Sequence, residues 1–429
     1  MKIKQLYAGF DTIEVAFLGA LPIEALETFR EAKQEAAKQQ ERQLMTIGPG
    51  NVAGHIASHG LTGGYAFLFD TGPTGDIWSF KDTADPSKWN IAVKPHASAL
   101  ACHSYQETRE RILDTLNAMG CRFGKESIRR VDFAMDFLMP EMFELNHMQF
   151  VSHHRSKLSP YFGSKGETKE TDTDKAALVF RGRRTESVTV GKMPGRQVIV
   201  YDKRKAAIEQ RTYYWFRVWG INPKDTTKNV WRVELRAGKK ELKDKWNIRT
   251  FADLENSVGD LFNDTIEKVR YLDDFQTDGN VTRQRKHPLW LAAAECLSKK
   301  FIDYHSGLVP EQVREVFRDQ QIETYIQQIT GNAAGLAAVL ELTDEEISET
   351  FGQDIGQTIS NRINCAETNF FESRDRAQNR LVLKTQPITS KRLDQAILPK
   401  ESHPKTAFEK DKVRLQAIVD RLRKRPIDY

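Results

Sequence analysis

Apolar and polar residues alternate along RRVDFAMDF at positions 129–137. Read as a strand, the stretch puts Val131, Phe133, Met135 and Phe137 on one face and Arg130, Asp132, Ala134 and Asp136 on the other. Two later segments share this grammar. In RQVIVYDKRKAA (196–207), Ile199, Tyr201 and Lys203 oppose Val198, Val200 and Asp202. In WRVELR (231–236), Trp231, Val233 and Leu235 form an apolar face against Arg232, Glu234 and Arg236. The apolar faces predict a core. The opposite faces collect arginines and acids where a solvated strand would carry Thr, Lys or Ser.

Around these strands the pattern predicts further elements. Residues 1–20 alternate as a strand, and 21–44 read as an Ala/Glu/Gln-rich helix with a weak apolar face. The Gly-rich stretch IGPGNVAGHIASHGLTGGYAFLF fits neither GxGxxG nor GxxxxGK[ST], so its glycines predict hairpin turns. SYQETRERILDTLNAMG (104–120) predicts a helix closed by Gly120. After a polar loop at 163–176, strands are expected at 176–182, 187–192, 196–203 and 228–240. Beyond about Asn280 the period changes to helical. The expected fold class is α+β. It comprises a mostly antiparallel sheet domain over 1–280, a small helical domain over 281–365, and a basic tail over 366–429 with a terminal helix.

Composition narrows the class. The chain has 39% apolar and 10% aromatic residues, enough for a sizeable core, and no apolar run long enough to span a bilayer. The N-terminus lacks a signal peptide's apolar core, and the four cysteines (102, 121, 296, 365) show no CxxC spacing. No membrane association, a reducing cytoplasm and no zinc site are therefore expected. The net charge of +5 is unevenly placed. Residues 366–429 hold 15 Lys/Arg against 9 Asp/Glu, leaving 49 against 50 in the other 365 residues. A near-neutral body with a basic tail suits a polyanionic partner.

The polar faces suggest chemistry. Carboxylates such as Asp132, Asp136 and Glu234 suit a hard divalent cation, Mg²⁺ or Mn²⁺. Lys203 and the arginines suit phosphate, and the Tyr201 hydroxyl suits a nucleophile. Asp132 and Asp136 lie four residues apart, about 13 Å on a regular strand. Without a bulge they serve different partners, one a metal and the other an arginine. Each acid taken alone also fits a cross-strand ion pair worth about 0.2–1 kcal/mol. The three segments together, in order, carry the chemical reading.

That order, R-x-D-x-A-x-D (130–136), then VGKMPGRQVIVYDK (190–203), then WRVELR, resembles the replication initiation factor family. These are rolling-circle initiators of plasmids and filamentous phages, with relaxases of mobile elements among them. GFDTIEVAF with Asp11, and HPLW at 287–290, are similar to its members too. The likeness spans roughly residues 7–290. It departs at Gly191-Lys192 and Pro194-Gly195, where many members carry Gly-Ser and a further Ser. The resemblance implies metal-dependent nicking of one strand at an origin by a tyrosine, leaving a 5′-phosphotyrosyl link and a free 3′-OH. It casts Tyr201 as nucleophile and has Lys203 hold the phosphate or lower the phenol's pKa. Asp132, Glu234 and Asp136 become metal ligands, and Arg130, Arg232 and Arg236 partners of phosphate or carboxylate.

Alternatives stay open at this point. Tyr161, and Tyr213-Tyr214, compete as nucleophiles. His153-His154 lacks the apolar residue between two histidines that histidine-based relaxases use, and is expected at the surface. The loop at 163–175 and the run Arg181, Arg183 and Arg184 suit DNA phosphates or simply a hairpin tip. The helical region and tail are expected to supply origin binding, contacts to a host helicase and replication proteins, or a homodimer. A relaxase, or a DNA-binding regulator on the same scaffold, are the rival functions.

Overall fold

The computed structural model describes residues 3–152, 160–161, 178–181, 184–273, 284–298, 306–364 and 370–386. The chain divides into Met1–Pro387 and Ile388–Tyr429, and all described residues belong to the first unit. The terminal helix expected in the tail lies outside them.

Alternation builds the frame. The strands are β1 (Lys4–Ala20), β2 (Gln43–Ile47), β3 (Val52–Ile56), β4 (Phe67–Asp70), β5 (Asp76–Phe80), β6 (Trp89–Pro95), β7 (Arg122–Met139), β8 (Phe150–Ser152), β9 (Pro160–Tyr161), β10 (Leu178–Arg181), β11 (Arg184–Gly191), β12 (Arg196–Asp202), β13 (Asn229–Gly238) and β14 (Val269–Tyr271). Twelve form one sheet in the order β2-β3-β4-β5-β6-β1-β7-β13-β12-β11-β10-β9, antiparallel except for the β9–β10 pair. β8 and β14 pair separately. The fold is α+β, as the sequence pattern predicts.

The expected core face is fully buried: Val131, Phe133, Met135 and Phe137 on β7, Trp231, Val233 and Leu235 on β13, and Val198 and Val200 on β12. Helices α1 (Ile23–Gln39), α2 (Ala97–Cys102), α3 (Tyr105–Ala118), α4 (Lys203–Glu209), α5 (Tyr214–Trp219) and α6 (Phe251–Lys268) follow in the chain. α6 lays Leu254, Val258, Leu261, Phe262 and Ile266 on that face, with Phe262 meeting Phe133 at 5.7 Å between ring centroids. Burying each such side chain is worth about 1.5–3 kcal/mol. α3 begins at a capping box, Ser104 with Glu107, and the chain leaves it at Gly120 (φ 74°), where the pattern placed its stop.

Past residue 283, α7 (Pro288–Leu297) belongs to the main core through Leu289, Trp290 and Ala293, and the Trp290 indole donates to Ile266 O at 3.0 Å. α8 (Pro310–Val339) anchors by Val313 in a second apolar cluster with Tyr7, Tyr214 and Trp215. The remaining helices are α9 (Asp344–Glu346), α10 (Gly352–Asn364) and α11 (Phe370–Thr385). α11 returns to the sheet, where His55 Nε2 meets Asn379 O at 2.8 Å.

Candidate active site

The polar faces of β7, β13 and β12 converge because the strands are adjacent and in register. Asp136 lies opposite Arg232, which lies opposite Tyr201; Ala134 is opposite Glu234, and Asp132 opposite Arg236. Ala134 explains itself here: the small residue faces the long Glu234 side chain across the ladder. On the other flank β1 shifts register between Phe10 and Thr12, setting Asp11 in the irregularity.

Two buried ion-pair groups result. Arg232, with no exposed surface, grips Asp136 bidentately (Nε–Oδ1 2.6 Å, Nη2–Oδ2 2.9 Å) and reaches Asp11 Oδ1 through Nη1 at 2.6 Å. The Trp219 indole donates a further bond to Asp136 Oδ2 at 2.9 Å. Four residues along, Arg130 holds Asp132 bidentately at 2.6 and 3.0 Å, while Arg236 Nε lies 2.7 Å from Glu234 Oε1 and 3.7 Å from Asp132 Oδ2. The two aspartates thus serve different arginines, as their spacing on an unbulged stretch of β7 requires. Bidentate geometry offsets the several kcal/mol that each buried ion loses in hydration.

Tyr201 stands between the groups and donates from Oη to Glu234 Oε2 at 3.1 Å. Burial first, then the neighbouring Glu234 charge, pushes the phenol well above its ordinary range. Lys203, expected to hold the phosphate or lower this pKa, has its ammonium 5.7 Å from the centroid of the ring. Lys203 departs from the expected strand. Asp202 accepts from Lys205 N at 3.0 Å as an N-cap, so Lys203 opens α4. It is buried, 4.8 Å over the Trp215 ring, and makes no hydrogen bond or ion pair among the described residues. Burial, and then Arg232, lower its pKa to about 8.

The segment YYWFRVW (213–219), read from sequence only for its tyrosines, caps the Arg232 end. Trp215 presents one ring system to both cations, with Arg232 Cζ at 4.3 Å. Tyr214 packs into the second cluster against Trp215 at 5.2 Å. Solvent reaches the cluster at Asp11, whose side chain is 19% exposed, as well as at the other end. The side chains of Arg130 and Arg236 are 19% and 20% exposed, against 0% for Arg232 and Asp136.

Four carboxylates (Asp11, Asp132, Asp136, Glu234) face four cations (Arg130, Arg232, Arg236, Lys203). Burial, reinforced by Glu234, raises Asp132 to about 6 despite Arg130. Burial also works to raise Asp11, but the charges of Arg232 and Lys203 outweigh it and lower its pKa. As arranged, these oxygens do not fit a divalent ion. Both Asp136 oxygens are taken by Arg232 and Trp219, and the Arg236 guanidinium sits beside both Asp132 and Glu234. Among the described residues no three His, Cys, Asp or Glu side chains gather to hold a metal.

The remaining sequence candidates lie elsewhere. Tyr161 is on β9, three strands from β12, which at strand spacing is about 14 Å from the Tyr201 strand. Arg184 donates to Asp202 Oδ2 at 3.1 Å and lies 5.8 Å over Trp231, and Arg181 is its partner across the β10–β11 ladder. Arg183, His153-His154 and the loop 163–175 fall outside the described residues.

No family model and no curated protein matches the chain. Among solved structures, it is similar to the "Structure of Rolling Circle Replication Initiator Protein from Geobacillus stearothermophilus", at 14% identity and a TM-score of 0.36, covering 71% of this chain and 100% of that one. A likeness of that size carries no inference about activity; the side chains must do so.

Proposed function

We propose that the chain is a DNA nicking and strand-transfer enzyme acting at a specific origin, with Tyr201 as nucleophile. The observation that carries this reading is the Tyr201 Oη–Glu234 Oε2 hydrogen bond at 3.1 Å, set among cations and near the Lys203 ammonium, which makes no ion pair among the described residues. Glu234 accepts the phenolic proton while Oη attacks a backbone phosphorus. The P–O3′ bond breaks, the 3′ oxygen leaves and takes up a proton, and the strand stays joined to Tyr201 through its 5′ phosphate. Lys203 and Arg236 stabilise the phosphate oxygens as charge gathers on them. Because the phenol's proton is tightly held at rest, attack depends on a phosphate already seated against these cations. The phosphotyrosyl bond conserves the bond exchanged, so a returning 3′-OH reseals the strand by the reverse step.

In this role the chain starts rolling-circle replication of a phage or plasmid. A relaxase of an integrative element shares every step and differs in genetic context. A Mg²⁺ or Mn²⁺, which the family resemblance implies, would be held by Asp132 and Glu234 with Arg236 turned away from them, and would polarise the scissile phosphate. The test is incubation of supercoiled DNA of the encoding element with each protein, in Mn²⁺, Mg²⁺ or EDTA, followed by SDS. A covalent protein–DNA adduct that disappears in Tyr201→Phe supports the assignment. Nicking without any adduct in either protein means that water attacks, and overturns it.

A further inference from the structure

The Arg130/Arg236 end of the cluster meets a second feature. The β11–β12 turn carries Lys192, and β13 runs directly from Arg236 into KKELKDKWNIR (239–249). The two are stitched together: Gly238 N donates to Gly195 O at 2.8 Å, and Lys240 N to Pro194 O at 3.1 Å. Two glycines permit the approach. Gly191 sits at φ +97°, with the Arg196 carbonyl 2.2 Å from where a Cβ would stand, and at Gly238 a Cβ would come within 2.5 Å of Pro194 O. The lysines therefore project from a fixed edge, not from a loose loop.

Charge on this edge is one-sided. Residues 239–249 hold five Lys/Arg against Glu241 and Asp244. Glu241 is buried and consumed by Arg196 at 3.1 Å and Lys245 at 2.6 Å. Lys239, Lys240 and Lys243 are exposed and make no ion pair among the described residues. Three unpaired ammonium groups within five residues repel one another unless an anion lies against them. A cleft of about 460 Å³ beside Lys240 is lined by Lys192, Arg196, Glu241, Lys245 and Val269 among others, on the α6 side of the sheet, where Arg196 pairs with Asp264. Lys239 is three residues past Arg236, at the start of a helical turn that continues through Glu241–Lys245. Arg130, at the same end, lies opposite Gly238.

We propose that Lys239, Lys240 and Lys243, with Lys192, form a phosphate-binding edge. It would guide one DNA strand over the partly exposed Arg130/Arg236 end of the cluster toward Tyr201. The recognition is of backbone charge and not of base sequence. This edge is separate from the Arg181–Arg184 hairpin, which lies on the outer strands β10 and β11. The proposal rests on the nicking function above, because the edge matters only if a strand enters there.

The test uses the full chain, a fluorescein-labelled single-stranded DNA of mixed sequence, and anisotropy titrations from 50 to 300 mM KCl. Each phosphate contact on a single strand contributes about 0.7 to the slope of log K against log salt, or roughly fourfold in affinity at 0.15 M salt. The triple variant Lys239→Gln/Lys240→Gln/Lys243→Gln should lose about 2 from the slope and bind some tens of times more weakly at 0.15 M. Its melting temperature should be unchanged or higher, since the repulsion is relieved. A control triple, Lys38→Gln/Lys88→Gln/Lys224→Gln, removes exposed lysines elsewhere and should keep the wild-type slope. The same slope loss in the control, or no loss in the first triple while wild type still forms its adduct, overturns the edge and leaves the nicking function standing. If wild type neither binds DNA nor forms an adduct, the nicking function fails, and the edge fails with it.

Discussion

Arg232 is the residue whose loss the structure makes most costly, and the cost can be worked from its partners. It has no exposed surface and neutralises Asp136 and Asp11 with three bonds of 2.6–2.9 Å. Arg232→Met fills much of the same volume but strands the Asp136 carboxylate, itself without exposed surface, on the Trp219 indole alone. Breaking a buried pair by removing one member costs about 3–5 kcal/mol, whereas replacing both members by apolar groups is often near neutral. Arg232→Met should therefore lower stability by about 4 kcal/mol, and Arg232→Met/Asp136→Leu should recover more than half of that loss. Part will not return, because Asp11 and the Trp219 N–H each lose a hydrogen-bond partner. The assay is urea unfolding followed by tryptophan fluorescence, since Trp215 and Trp219 flank the substitution. The double variant should fold, so its adduct yield reads what this pair contributes to chemistry apart from stability. A single-variant loss below about 1 kcal/mol, or a double variant as unstable as the single, would refute the view that this is a buried charge pair held by mutual need.

Three further outcomes follow from individual residues. Because the Lys203 pKa is lowered to about 8, its ammonium is present below that pH and lost above it; adduct formation should fall as pH rises through 8, and Lys203→Met should form little adduct, with no such step in a pH series. Burial pushes Asp70 up, but bonds from His96 (2.9 Å), Gly72 N (2.9 Å) and Arg42 (3.0 Å) outweigh it and hold its pKa at about 2. With the folded value below the unfolded one, this group's contribution of about 2 kcal/mol is present above pH 4 and is lost as pH falls toward 2, so Asp70→Asn should flatten acid unfolding in that window. Gly191→Ala places a Cβ 2.2 Å from the Arg196 carbonyl at φ +97° and should cost about 1–3 kcal/mol in thermal unfolding, while Gly195→Ala, whose nearest atom is 3.0 Å away, should cost less.

Period-2 alternation was enough to find the strands that matter and to say which face is core. Val131 to Phe137 and Trp231 to Leu235 bury as the pattern demands, and in-register pairing of adjacent strands does the rest. The separation of Asp132 from Asp136 was legible too, because strand rise alone forbids a shared partner. Lys203 was not. Alternation carries it on as a strand position, but Asp202 caps the amide of Lys205 and turns KRKAAIE into a helix. The Trp215 and Trp219 contacts were invisible for a different reason. A run such as YYWFRVW looks like any buried segment until tertiary packing sets it over Arg232 and Asp136, residues that arrive from distant strands. Asp11 is a third case, since its reach to Arg232 depends on an irregularity in β1 that period 2 does not show.

The central claim is that Tyr201 becomes covalently joined to DNA. It is tested most directly by digesting the SDS-stable adduct with nuclease and trypsin and sequencing the nucleotide-bearing peptide by mass spectrometry. Trypsin cuts after Arg196 and Lys203, so the account predicts the seven-residue peptide QVIVYDK with its added nucleotide mass on Tyr201. A nucleotide found instead on Tyr161, on Tyr213 or Tyr214, or on no tyrosine would contradict it.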